Sequence, residues 1–179
     1  KGFEYVAGID EAGRGPLAGP LVAAAVILYS SITQSPVINL IRDSKTLSGS
    51  QREQAREIIA KHAISIGVGI SPTEFIDQYG IMIATRSAMN QAVAKLSTTP
   101  SFLLVDAVSL EDNPVPSTSF IKGDTKCLSI AAASIVAKTT RDNIMHSIDK
   151  VYPLYGFSQH KGYGTQKHLA MLKQLGPSP

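Results

Sequence analysis

The residues best suited to chemistry are carboxylates that follow apolar runs. Tyr5-Val6-Ala7-Gly8-Ile9 leads straight into Asp10-Glu11, and Phe102-Leu103-Leu104-Val105 leads into Asp106. A further acid, Asp124, follows Gly123 just ahead of a long helical pattern. Open α/β sheets place their sites at strand ends. Three or four hard oxygen ligands, without histidine or cysteine, suit Mg²⁺ or Mn²⁺ rather than zinc. Two such ions about 4 Å apart can clamp both the attacking and the leaving oxygen of a phosphodiester. The set therefore points to phosphoryl-transfer hydrolysis. Plainer readings stand beside it: a solvated acidic turn after Ile9, a helix N-cap for Asp124, and a surface ion pair for Asp142 beside Arg141. Neighbouring strand residues point to opposite faces, so Asp10 and Glu11 share one site only if the strand bends at Glu11.

Gly13-Arg14-Gly15 follows the first acidic pair. A Gly-Arg-Gly backbone allows close approach to phosphate or sugar. It is not a dinucleotide fingerprint: Pro16 and an apolar strand follow it, Gly19 comes one place late, and no acid lies between Glu11 and Asp43. A Walker A loop is absent. The segment His160-Lys161-Gly162-Tyr163-Gly164-Thr165-Gln166-Lys167-His168 combines cations with a tyrosine. Its lysines could neutralise phosphates and its ring could pack on a sugar or base. The alternative is a surface loop that Tyr163 anchors to the core. Arg14 and Lys45 add cations near the acids, giving an electropositive rim round an acidic centre.

These side chains need a scaffold, and the 179 residues supply one. The chain is 44% hydrophobic and 17% charged, with a net charge of +3. That composition excludes disorder and permits a polyanionic partner without demanding one. One cysteine, Cys127, excludes an internal disulfide framework and fits a reducing cytosol. No apolar run is long enough to span a membrane and no signal peptide is visible. The expected strands are 5–9, 21–28, 63–70, 102–106 and a short one at 117–121. Helices are expected from Ser48 or Ser50 to Lys61, after Ser71-Pro72 by a cap-then-proline signal, from Ile81 to Lys95, from just after Gly123-Asp124 until Tyr152-Pro153 ends the pattern, and from Gln166 to Leu175. Residues 30–39 and 155–165 read as irregular. The result is one α/β domain, residues 1–179, with a mixed sheet covered by helices.

In order and at similar separations, several motifs resemble the ribonuclease HII family. They are Gly8-Ile9-Asp10-Glu11-Ala12-Gly13-Arg14-Gly15-Pro16, Asp43-Ser44-Lys45, Leu104-Val105-Asp106, Lys122-Gly123-Asp124, residues 129–138 (SIAAASIVAK) and His160-Lys161-Gly162-Tyr163-Gly164-Thr165. The resemblance spans essentially the whole chain. It implies a ribonuclease H-like fold with a central five-stranded mixed sheet, flanking helices and a C-terminal helical segment. It also implies an endonuclease that hydrolyses the RNA strand of RNA/DNA hybrids and incises 5′ of single ribonucleotides embedded in duplex DNA. The ends produced would be 3′-OH and 5′-phosphate, with a role in ribonucleotide removal during replication and repair.

By the same resemblance Asp10, Glu11, Asp106 and Asp124 match the catalytic, metal-holding carboxylates, for two Mg²⁺ or Mn²⁺ ions. Gly13, Arg14 and Gly15 match the motif that contacts the ribonucleotide and its 2′-OH, which distinguishes RNA from DNA. Tyr163 matches a tyrosine that packs on the following deoxyribose, and Lys45 a lysine placed on substrate phosphate. The related ribonuclease HIII group typically lacks the Gly-Arg-Gly form and adds an N-terminal domain. The family commonly continues past Gly176-Pro177-Ser178-Pro179 with a basic tail, so a truncated tail and weaker substrate affinity are expected. The expected partners are RNA/DNA hybrid and ribonucleotide-containing DNA, with no membrane, for a monomeric, cytoplasmic protein. Two other readings are a non-catalytic hybrid binder and a DNA junction nuclease.

Overall fold

A computed structural model describes residues 2–179. Five strands form one mixed sheet: β1 (Val6–Ala12), β2 (Leu21–Leu28), β3 (Ala63–Ser71), β4 (Phe102–Asp106) and β5 (Ser117–Phe120). Their spatial order is β3-β2-β1-β4-β5. The β3-β2 and β2-β1 pairs are antiparallel, whereas β1-β4 and β4-β5 are parallel. The helices are α1 (Gly49–His62), α2 (Thr73–Tyr79), α3 (Ile81–Ala94), α4 (Leu128–Val151), the single turn α5 (Phe157–His160) and α6 (Gln166–Leu175). No helix among the described residues is long and apolar enough to cross a membrane.

The period-two alternation of the strands divides the core. Ala7, Ile9, Leu21, Ala23, Ala25 and Ile27 pack with Ala88, Met89 and Ala92 of α3. Ala24 and Val26 face the other way, onto Ala55 and Ile59 of α1 and Ala131–Ala133, Ile135 and Val136 of α4. The small residues let the layers approach closely. A Cβ at Gly8 would collide with the Ser129 and Ile130 backbone, so α4 rests on β1 main chain to main chain. This contact seats α4 two residues before Asp10.

Most elements lie where the pattern places them. Ser48 caps α1 through a reciprocal box with Gln51, worth about 1 kcal/mol. The segment 30–40 is two short 3₁₀ turns rather than open loop, because Ile32 is drawn into the core. Ser71 does not cap α2: it ends β3, and its hydroxyl donates to the Ala84 carbonyl oxygen. β1 also runs further than expected, through Asp10 and Glu11 to Ala12, because β2 continues to pair with it.

Candidate active site

β1 loses its β4 neighbour just where the acids begin. The last parallel pair is Ile9 with Val105, and beyond it lie Asp10 on β1 and Asp106 on β4. Asp10 shares the even-numbered face with α4, is 4% exposed, and lines the cleft with Ser134, whose hydroxyl is 2.9 Å from Ser44 Oγ. Its Oδ1 accepts the Glu11 backbone N–H at 2.7 Å. Glu11, one residue on in an extended strand, faces the opposite layer. The bend expected at Glu11 is absent. The two acids meet round the free end of the sheet instead, and both line one cleft of about 340 Å³ with Asp106, Arg14, Lys45, Ser134, Lys138 and Tyr163.

Burial pushes the Asp10 carboxyl well above its ordinary range, helped by Glu11 and Asp106 and only partly opposed by Ser134. Glu11 is raised by burial too, with Arg14 pulling it back. Arg14 Nη1 donates to Glu11 Oε1 at 3.1 Å, and Nη2 lies 3.4 Å from Met82 Sδ on α3. Glu11 Oε2 is buried with no partner.

Asp106 ends β4 sharply. Ala107 follows at φ 54°, a left-handed conformation costing an alanine about 1 kcal/mol. Asp106 Oδ1 accepts the Gly123 N–H at 2.6 Å, which ties β4 to the turn carrying Asp124. That turn is a 3₁₀ element, Gly123–Thr125, and α4 starts only at Leu128, with Cys127 before it. Asp124 is therefore not a helix cap. It is 5% exposed and sits 3.4 Å from Lys45 Nζ. Burial pulls the Lys45 ammonium down, but Asp124, Asp43 and Asp10 outweigh it and raise it.

A divalent cation suits this donor set. The donors are all carboxylate oxygens, one buried oxygen is orphaned, and the cluster carries more negative charge than Arg14 and Lys45 relieve. Among the described residues no three such groups stand close enough to cage an ion unaided.

The sugar-reading candidates lie on the same cleft. Tyr163 is 44% exposed. Its ring stands beside Gly15, with Lys138 Nζ 5.9 Å from the ring centroid. The ring is not a core anchor; the backbone holds this loop, through Tyr163 N–H to His160 O and His168 Nδ1 to Tyr163 O. The two histidines expected on a basic strip are buried and stacked, 4.4 Å apart, because they seal α6 against Phe157. Asp142 does join ion pairs, with Lys138 at 2.7 Å and Arg52 at 3.9 Å, but not with its neighbour Arg141. A larger groove of about 610 Å³, between Leu17, Met145, Phe157 and Leu172, holds none of the four acids.

Sequence reading missed Ser134, Lys138 and Arg141. They recur at intervals of four and three on α4, which is one helical stripe. Polar residues at that spacing in an otherwise apolar stretch were the available signal. Arg141 is the largest, 1% exposed, and all its partners are backbone carbonyl oxygens.

The family model "Ribonuclease HII" matches residues 7–179. A ribonuclease HII of Acetivibrio thermocellus is 49% identical over 179 residues, covering 100% of this chain and 68% of that protein. One from Bacillus cereus (strain Q1) is 52% identical over 176 residues, 98% of this chain and 66% of the relative. The chain thus spans about two thirds of the length of these curated relatives. Among solved structures, ribonuclease H2 from Pyrococcus horikoshii superposes with a TM-score of 0.81 at 26% identity, covering 98% of this chain and 90% of that one. The five-stranded mixed sheet with its flanking helices is the ribonuclease H-like fold, and the chain belongs to the ribonuclease HII family of ribonuclease H hydrolases.

Proposed function

We propose that this protein is an endonuclease that hydrolyses the RNA strand of RNA/DNA hybrids and incises 5′ of single ribonucleotides in duplex DNA, leaving 3′-OH and 5′-phosphate ends. One observation carries the reading. Asp10 and Glu11 of β1 and Asp106 of β4 line a cleft that also presents Gly13-Arg14-Gly15 and the exposed ring of Tyr163, and Asp124 of the Gly123–Thr125 turn adjoins it through Lys45. Asp10, Glu11, Asp106 and Asp124 would hold Mg²⁺ or Mn²⁺. When bound, the metal supplies a Lewis acid for the phosphodiester and lowers the pKa of coordinated water.

The chain's own groups do the rest. The Glu11 N–H orients Asp10, and Gly123 N–H orients Asp106. Arg14 and Lys45 neutralise acids in the free protein, and both can turn to substrate phosphate when cations and nucleic acid compete for those acids. The amides around Gly13-Arg14-Gly15 approach the ribose, where the 2′-OH can both donate and accept. Tyr163 packs against the next sugar, where a missing 2′-OH leaves room for the ring.

The test is a substrate panel with Mg²⁺, Mn²⁺ or chelator: all-DNA duplex, duplex with one ribonucleotide, continuous hybrid and four-way junction. Metal-dependent cleavage of the second and third alone is expected. Binding without cleavage, or cleavage of the junction, overturns the reading.

A further inference from the structure

The cleft has two reading elements that are far apart in sequence: the Gly13–Pro20 segment, which carries Arg14, and the 156–165 segment, which carries Tyr163. Arg141 lies between them. Arg141 is 1% exposed and, among the described residues, no carboxylate lies within ion-pair distance of it; Asp142 pairs with Lys138 and Arg52. Nε donates to Pro20 O at 2.9 Å and Nη2 to Ala18 O at 3.0 Å on the first segment. Nη1 donates to Lys161 O at 2.9 Å on the second. The rigid fork matches one donor direction to each carbonyl.

The two segments also meet directly. Leu17 N–H donates to Gly162 O at 2.9 Å. Gly162, at φ 84°, lies so near Ala18 O that a Cβ would collide with it. Gly13, at φ 112°, has its missing Cβ only 2.7 Å from Arg141 Nε. Arg141 is therefore bonded four and six residues after Arg14, at Ala18 and Pro20, and two residues before Tyr163, at Lys161, and it packs against Gly13 beside Arg14.

We propose that Arg141 is a positioning residue for substrate choice: by clasping these two segments it fixes the distance between the ribose reader and Tyr163, and so controls incision at an isolated ribonucleotide. A continuous hybrid offers a ribose in every register, so it tolerates a small misplacement. A single ribonucleotide offers one register and does not. The inference rests on the function proposed above.

The test compares wild type, Arg141→Lys and Arg141→Met on a single-ribonucleotide duplex and a continuous hybrid. Lysine keeps the charge but cannot span three carbonyls. A displacement near 1 Å can cost ~100-fold in rate, so kcat on the single ribonucleotide should fall at least ~30-fold in the lysine variant while KM holds within ~3-fold. On the hybrid, kcat should fall no more than ~3-fold, since another register is available. Adding Tyr163→Ala to Arg141→Lys should then cost little more on the single ribonucleotide, because the paired reading is already lost.

Equal losses on both substrates, or additive losses in the double variant, overturn the proposal. If neither position-141 variant folds, Gly162→Ala decides, since it forces the segments apart from the other side and should show the same selective loss. Wild type that never incises the single-ribonucleotide duplex removes the functional reading and this inference together. Wild type that incises, with Arg141→Lys keeping its preference, removes this inference alone.

Discussion

On the acidic rim, Glu11 meets Arg14 at 3.1 Å and Asp124 meets Lys45 at 3.4 Å, and both cations reach out from solvent. Behind the same cleft, Arg141 is sealed from water and spends each arm of its fork on a carbonyl. The rim leaves a buried carboxylate oxygen unpaired and raises its own acids; the clasp leaves no arm of its guanidinium unpaired. The difference separates two jobs. Charge that is poorly compensated can take up cations, and each of these pairs joins a buried carboxylate to a cation that stays in contact with solvent and can swing away. A guanidinium with each of its three nitrogens bonded to a carbonyl is held in place and can serve as a ruler.

The sharpest way to break the comparison is at Asp10. Asp10→Asn should abolish metal-dependent cleavage of a labelled hybrid and, without metal, raise the thermal midpoint by a few degrees. Because the fold raises this carboxyl, its ionised form opposes folding above that pKa, and the penalty disappears as pH falls. The gain in the variant should shrink accordingly in calorimetry at lower pH. Normal turnover by this variant removes Asp10 from the chemistry.

Adjacent residues on α4 give the next contrast. Arg141→Met strands one buried and two partly buried carbonyls and should lower stability in urea by about 3 kcal/mol. Asp142→Asn, one residue on, loses only partly exposed ion pairs and should cost under about 1 kcal/mol. Comparable losses would mean that the clasp is not special.

Tyr163→Ala touches neither network. It should reduce incision at a single ribonucleotide about tenfold more than cleavage of a continuous hybrid, with unchanged unfolding. An equal reduction on both substrates removes its role at the junction.

The smallest effect is at the base of the clasp. His160 donates to Tyr155 O through Nε2 and accepts the Gly162 N–H at Nδ1, so protonation breaks a bond to the loop. Burial, with His168 and Lys167 nearby, holds it below the ordinary value of 6.5. The unfolded chain then binds the proton more readily, so stability is full above pH 6.5 and declines as pH falls through it. A midpoint that stays flat from pH 7.5 to 5.5, or rises, contradicts this (window set around the ordinary histidine value).

Much of this was legible in the chain. The strand at Phe102–Asp106 and the helices at Ile81 and Gln166 follow from periodicity and glycine stops. The acids at strand ends were visible because an apolar run that stops in carboxylate is unusual. Other features lay out of reach for a physical reason. Whether Asp10 and Glu11 share a site depends on where the neighbouring β4 ends, not on β1 itself. Asp124 looks like a helix cap until one sees that α4 starts four residues later. Arg141 sits next to Asp142, which invites an ion pair, whereas its real partners are backbone oxygens 20 to 123 residues away. Side-chain pattern carries no mark of a backbone acceptor.

The seat of α4 on β1 at Gly8 has a consequence in time as well as in space. With main chain pressed on main chain at Gly8, opening either element strips the other of its packing, so the two are expected to open together. Deuterium should therefore enter the amides of Gly8 and Ile9 and those of Ala131–Ala137 at one common rate, that of whole-molecule opening. The rim side chains can rearrange on every turnover while the base beneath them, carrying Asp10, Ser134 and Arg141, keeps its positions for as long as the protein stays folded.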